Sequence, residues 1–376
     1  MPPLSHSTLS ASSSDRWLAC PPSAKLNAKA EDTGSDFARE GTCAHELCEY
    51  KVRKMLGEEV QDPTENLDFY DAEMEICSDE YTNYIGECIA AAKQKCSDPI
   101  VLVEQRLDFS EYVPNGFGTG DCVIVADDTL FIVDFKYGQG VEVKAEHNPQ
   151  MMLYTLGALR LFDSLYDFKK ISMSIFQPRL NNISKFEIDK AALLDWAENT
   201  LKPIAELAAK GEGEFKAGEH CRFCKVKATC RKRAEYNLEL AKYEFAVPDT
   251  LEPIEIAAIL SKADELSAWA ADIKKYALEQ ALRGETFDGF KVVEGRSMRK
   301  YKDETAVAKT VSNAGFDPFE KSVLGITAMT KLLGKAKFEE LLGGFITKPK
   351  GKPTLVPNTD KRAAINTAAD DFKEEM

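Results

Sequence analysis

The chain reads as an α/β protein in which helices flank a mixed sheet and a mainly helical lobe follows. Three observations carry that reading. Strand-like runs VLVEQRLDF (101–109), TGDCVIVA (119–126) and TLFIVDFKY (129–137) lie close together, separated by Gly, Pro, Asn and Asp turn signals. Helical spacing precedes them over residues 37–56 and 65–96 and resumes over 148–163. A fourth strand, in KISMSIFQPRL, alternates at Ile171, Met173 and Ile175 before a helix over about 189–210.

At the start, Cys20 of SDRWLACPPS is followed by two prolines that stop any helix. The helix over 37–56, FAREGTCAHELCEYKVRKML, sets His45 and Glu49 four apart on one face. The helix over 65–96 is mostly acidic on its exposed side. Beyond about residue 245 the character changes. Pro253 opens a long helix whose apolar stripe runs through Ile259, Ala263, Leu266, Ala270, Ile273 and Ala277. A strand-like stretch, FDGFKVVEGRSMRKY, comes next, then a shorter helical region and the Pro/Lys segment KPKGKPTLVPNTDKR. Domains are therefore expected at 1–240 and 245–376, the second ending in a flexible tail.

Of the 376 residues, 44% are hydrophobic and 29% charged, as in a globular protein with a substantial core. The net charge of −14 excludes a uniformly basic coat on nucleic acid. It leaves room for a local basic groove, or for acids that hold a metal. No apolar stretch approaches the roughly 20 residues of a membrane span. The opening MPPLSHSTLSASSSDRW lacks the basic and apolar regions of a secretory signal. A cytoplasmic location is expected, with the ten cysteines as thiols or metal ligands rather than disulfides.

In FIVDFKYGQG, Asp134 and Lys136 project from one face of a strand, as a structural ion pair or as half of an active site. Asp121 sits on the preceding strand, just after the turn GFGTG. Two carboxylates on neighbouring strands repel and favour a divalent cation between them, and oxygen ligands suit Mg²⁺ or Mn²⁺.

The pattern D-x₁₂-D-x-K resembles the core of the PD-(D/E)XK nuclease superfamily, with Asp134 where Glu is commoner. G-x-x-x-H (Gly41 to His45) precedes it and Q-x-x-x-Y (Gln150 to Tyr154) follows, an order similar to the RecB/AddB-like branch over roughly residues 10–235. The resemblance implies a metal-dependent deoxyribonuclease, an exonuclease before an endonuclease, on a restriction-endonuclease-like core. It implies His45, Asp121, Asp134 and the Phe135 carbonyl as metal ligands. Lys136 would attend the attacking water, with Gln150 and Tyr154 holding the substrate strand or buttressing Lys136. Glu46 and Glu49 are read as a solvated face or as partners of His45. More loosely, the whole chain resembles a family carried by phages and prophages. That implies recombination, repair or replication of DNA in a bacterial host, beside a single-strand-binding or annealing protein. A degenerate nuclease fold that binds DNA without cutting, as a scaffold, is one alternative, and a zinc-stapled structural module is another.

Cys221-x₂-Cys224-x₅-Cys230 brings three thiols together, one short of a closed tetrahedral set. His220 is a poor fourth donor beside a bound Cys221, and Cys20 is the alternative. Spacing alone leaves a [4Fe–4S] cluster and structural Zn²⁺ equal. The resemblance to the staple of AddB-like nucleases implies the iron–sulfur cluster, with zinc as the competitor. Arg222, Lys225, Lys227, Arg231, Lys232 and Arg233 crowd the same segment and are candidates for phosphate contacts. Lys291, Arg296, Arg299, Lys300 and Lys302, with Tyr301 for stacking, form a second candidate, and residues 348–362 a third.

Overall fold

Helices gather on both sides of the sheet because its strands carry apolar residues on both faces. The structure, a computed structural model, describes residues 7–30, 35–239, 253–294, 301–319 and 323–347. Helix α1 (Ser14–Ala19) ends at Cys20, and α2 (Ser23–Lys29) restarts after Pro21 and Pro22. Helix α3 (Asp36–Met55) is capped by Ser35, whose side chain accepts from the Ala38 amide. Helix α4 (Ala72–Lys93) begins later than the expected residue 65, because Asp71 caps it through the Met74 amide at 2.8 Å.

Five strands follow in the spatial order β1-β2-β3-β4-β5. They are β1 (Ile100–Asp108), β2 (Phe117–Ala126), β3 (Thr129–Phe135), β4 (Lys170–Gln177) and β5 (Asn182–Asp189). β3 and β4 are parallel, and the other neighbours are antiparallel. The parallel step requires a crossover, supplied by α5 (Pro149–Phe162). The sheet is mixed, as expected, but β5 went unread. Its inward positions are Ser184, Phe186 and Ile188, while Ile183 points outward and is exposed, so the apolar alternation is broken. The helix expected over 189–210 is α6 (Lys190–Trp196), a π turn (Ala197–Leu201) and α7 (Lys202–Lys210).

One face of the sheet packs Leu107, Val123, Ile132 and Met173 against α5, with Trp17 of α1 and Ala205 and Ala208 of α7 in the same core. The other packs Cys122, Ile124, Val133 and Phe135 against Leu47 and Val52 of α3 and Tyr81 and Ile85 of α4. After the cysteine segment comes α8 (Arg231–Leu238), then α9 (Pro253–Leu282). The chain divides into two compact units, 1–250 with 265–276, and 251–264 with 277–376. The second also contains α10 (Glu304–Asn313), α11 (Ile326–Leu333) and α12 (Lys335–Leu342). Among its described residues Phe338 alone is a buried apolar side chain.

The strand expected in FDGFKVVEG does not form over residues 287–294, where a turn with Gly289 at φ 81° leads into irregular chain. Residues 295–300, the boundary near 245 and the tail beyond 347 lie outside the described residues. No described helix is long and apolar enough to cross a membrane.

Two close contacts set the height of α5 above the sheet. A Cβ on Gly157 would lie 2.7 Å from Leu107 Cβ and 3.1 Å from its carbonyl carbon, and one on Gly118 would lie 2.8 Å from Tyr154 Cε1. Backbone cannot give way as a side-chain tip can, so Gly157→Ala lifts α5 off β1. The expected cost is about 1–3 kcal/mol, read as a lowered urea midpoint at unchanged m-value.

Candidate functional site

The first carboxylate stands where the β2–β3 ladder ends. Cys122 and Val133 form the last pair, and one step beyond them Asp121 faces Asp134. Asp121 is buried, and its Oδ2 accepts the Phe135 amide at 2.7 Å. Its Oδ1 lies 3.4 Å from His45 Nδ1, delivered by α3 from the opposite side of the sheet. The His45 ring meets Phe135 edge-on at 5.3 Å, which fixes its orientation. Burial works against the charge on His45, but Asp121 more than reverses this and raises its pKa to about 9. Burial likewise opposes ionisation of Asp121, yet His45, Lys136 and the Phe135 amide hold its carboxyl below the ordinary value.

A third group completes this cluster, and it was not among the expected ligands. Glu104 of β1 lies opposite Asp121, between the pairs Val103–Cys122 and Gln105–Gly120. Its backbone takes φ 50°, a left-handed conformation unusual for a non-glycine residue. The alternation of β1 reverses there, so that Leu102 before it and Leu107 after it pack into one core. Ligand atoms of His45, Glu104 and Asp121 lie within 4.8 Å of one another, and no other such trio occurs among the described residues. Burial, then repulsion from Asp121, raises Glu104 to a pKa of about 7. An acid inside VLVEQR was the available signal.

Asp134, expected as a metal ligand, is engaged differently. Its Oδ1 accepts from Gln150 Nε2 at 3.0 Å. Its Oδ2 is paired with the Lys136 ammonium at 2.9 Å. Burial pushes the Asp134 carboxyl upward, with Lys136 opposing. Burial weakens the Lys136 ammonium, but Asp134 and then Asp121 outweigh this and keep it charged. Gln150 ties the group together, accepting from Lys136 Nζ at 3.0 Å and donating to the Tyr154 hydroxyl at 3.1 Å. Asn148 caps α5 through the amides of Gln150 and Met151, with Pro149 at the first turn, so the cap itself places Gln150. Beyond Lys136, Gln177 donates to the Gly138 and Val141 carbonyls at 2.8 Å and accepts from the Val143 amide at 3.2 Å, pinning the loop. Phe135 shows its amide to Asp121, which places the backbone of this expected ligand beside the carboxylate. Glu46 is exposed and Glu49 is held by Arg53 at 2.8 Å, so both stay on the helix face.

Cys20, Cys221, Cys224 and Cys230 line one cavity, with Arg16 and His220 in its wall. The Asn27 side chain braces it, donating to Cys224 Sγ at 3.2 Å and accepting the Lys225 amide at 2.7 Å. Hydrogen bonds to Cys20 and Cys221 raise His220 to a pKa of about 10. The thiols are not packed tightly, since no three of them lie within 4.8 Å of one another. Four zinc–sulfur bonds of the usual length would set sulfurs about 3.8 Å apart.

The basic segment needs a correction. Arg222, Lys225, Arg231 and Lys232 are exposed. Arg233 is 1% exposed, bound to Glu265 at 2.8 Å and Asp272 at 2.6 Å. Lys227 is bound to the same Asp272 at 2.8 Å. Carboxylates from α9 neutralise both, which removes Arg233 as a surface for phosphates. In the second basic candidate, Tyr301 and Lys302 are exposed, while Arg296, Arg299 and Lys300 lie outside the described residues, as does the 348–362 segment.

A family model described as "Protein of unknown function (DUF2800)" matches residues 6–363. The chain belongs to this family. A solved structure titled "Crystal structure of SSO0001" is similar over 51% of this chain and 98% of its own, at 12% identity and a TM-score of 0.23. That likeness is too slight to define the DUF2800 fold.

The strained, repelled position of Glu104 has a measurable consequence. Its pKa is about 7 in the folded chain against 4.5 ordinarily, so the folded protein keeps a proton that the unfolded chain has lost. Stability contributed by this residue therefore falls as pH rises from about 4.5 through about 7. Glu104→Gln removes that loss: in EDTA at pH 8 the variant is expected to gain about 1–2 kcal/mol in urea melts. At pH 5 the gain shrinks toward zero.

Proposed function

We propose that this DUF2800 protein is a divalent-metal-dependent nuclease that hydrolyses phosphodiester bonds in DNA. The observation that carries the proposal is the convergence of His45, Glu104 and Asp121 beside an Asp134–Lys136–Gln150 network at the end of one sheet. One imidazole and two carboxylates fit Mn²⁺ or Mg²⁺, the nitrogen favouring Mn²⁺. Burial and then repulsion from Asp121 lift Glu104 to about 7, and a cation in this place would relieve both. Protonated His45 neutralises Asp121 in the same space, so metal binding displaces that proton and strengthens with pH. Asp134 Oδ2, paired with the Lys136 ammonium, is a further carboxylate oxygen beside the trio.

A bound divalent ion would polarise the phosphoryl oxygen and acidify a water molecule. The chain's own groups do the rest. Lys136, 27% exposed and held charged between Asp134 and Gln150, presents an ammonium to the attacking water and to charge developing on phosphorus. Gln150 fixes that ammonium, and Tyr154, whose burial keeps it a neutral phenol, fixes Gln150. Exposed Arg222, Lys225, Arg231 and Lys232 supply a place for substrate phosphates in an otherwise acidic chain.

Cys20, Cys221, Cys224 and Cys230 are assigned to a metal–thiolate centre, a [4Fe–4S] cluster before zinc. Their shared cavity supports the assignment, with four thiols from two distant segments around one space. The role is structural, because the centre joins the start of the chain to the segment after α7.

Purified protein incubated with Mn²⁺ and end-labelled linear DNA tests the enzyme reading, the position of the label also giving polarity. Asp134→Ala, Lys136→Met and Glu104→Gln are each expected to lower cleavage about 100-fold or more. Absence of cleavage by the wild type, or full cleavage by Asp134→Ala, would sink the proposal.

A further inference from the structure

We propose that Arg16 is the counter-charge of the four-cysteine centre, a positioning residue that makes its cavity selective for an anionic metal–thiolate group. The inference rests on the assignment of that centre above. Arg16 is 9% exposed and lines the cavity together with all four cysteines. A buried guanidinium ordinarily has a carboxylate partner, as Arg233 has in Glu265 and Asp272. Among the described residues Arg16 has none. Its hydrogen bonds run from Nη1 alone, to Ser23 O at 3.0 Å and Ser23 Oγ at 3.2 Å, both neutral acceptors. They orient the side chain without neutralising it, and leave Nε and Nη2 without a hydrogen-bond partner among the described residues.

The missing negative charge is supplied by chemistry already in the wall. Four thiolates around one Zn²⁺, or around a [4Fe–4S] core of charge 2+, leave a net charge of 2−, partly offset by a fixed cation in the same cavity. Four protonated thiols would leave the cation buried and unpaired. Arg16 therefore favours the loaded, deprotonated state over the empty one. Its position in α1, four residues before Cys20, couples that preference to the correct placement of the first ligand. His220 belongs to the same wall and reaches Cys20 and Cys221, but its ring nitrogen also bonds the Lys216 carbonyl at 2.9 Å, so part of its donor capacity is committed to backbone.

The test is retention of metal by the full-length chain, purified anaerobically, with iron, sulfide and zinc measured directly. Arg16→Gln keeps a polar contact toward Ser23 without the charge, Arg16→Met is the neutral apolar version, and Arg16→Lys restores the charge. Both neutral variants are expected to lose metal to a chelator roughly tenfold faster than wild type, the scale of one charge-assisted hydrogen bond. Arg16→Lys should lie closer to wild type, and far-ultraviolet circular dichroism reports whether each variant is folded. If Arg16→Gln releases metal at the wild-type rate, or Arg16→Lys is as labile as Arg16→Gln, the counter-charge role is wrong although the centre stands. Wild-type protein containing neither iron nor zinc overturns both the role and the centre.

Discussion

Asp121 and Asp134 face each other across two adjacent strands, and burying both there costs free energy unless each finds positive charge or donated hydrogen bonds. Much of the surrounding architecture answers that demand. Asp121 receives a backbone amide and an imidazole, and Asp134 an ammonium and an amide side chain. The donors come from the end of β3, from Lys136 just beyond it, and from α3 and α5 on opposite sides of the sheet. Their positions relative to the carboxylates depend on two packed cores meeting the sheet at fixed heights. The close approach at Gly157 is one such height, and it brings Gln150 within reach of both Asp134 and Lys136.

Glu104 works in the opposite direction. It adds a third acid to a place already crowded with negative charge, and it does so on a backbone in the left-handed region. Nothing in the packing of β1 calls for an acid there, and Gln would satisfy the same geometry at lower electrostatic cost. A residue held against both repulsion and backbone preference is the pattern expected where function outweighs stability.

Much of this was legible in the sequence, for identifiable reasons. Strand periodicity of two placed Asp134 and Lys136 on one face, and helical spacing over 148–163 placed Gln150 and Tyr154 on α5. Counting ligands showed a fourth donor missing, the resemblance to AddB-like nucleases pointed to Cys20, and all four line one cavity. The failures are equally physical. Glu104 was passed over because its φ of 50° reverses the alternation that strand reading relies on. Arg233 looked like one more base in an exposed run, because its neutralising carboxylates come from α9, well beyond the local window. Strand β5 was missed because Ser184 occupies an inward position, where its hydroxyl accepts the Ala145 amide at 2.8 Å. In each case a contact from elsewhere in the chain decided what a residue does.

The first core is closed by the opening helices together with α7. Trp17 and Ala24 share a buried cluster with Ala205 and Ala208, and α1 and α2 pack against α7. On the ribosome, the opening helices emerge first but must wait for nearly the whole sheet to be synthesised before their packing partners exist. Helix α5 offers part of their cover earlier, but the sides that pack on α7 wait for it. The first core is therefore complete only once α7 has been synthesised, after the whole sheet.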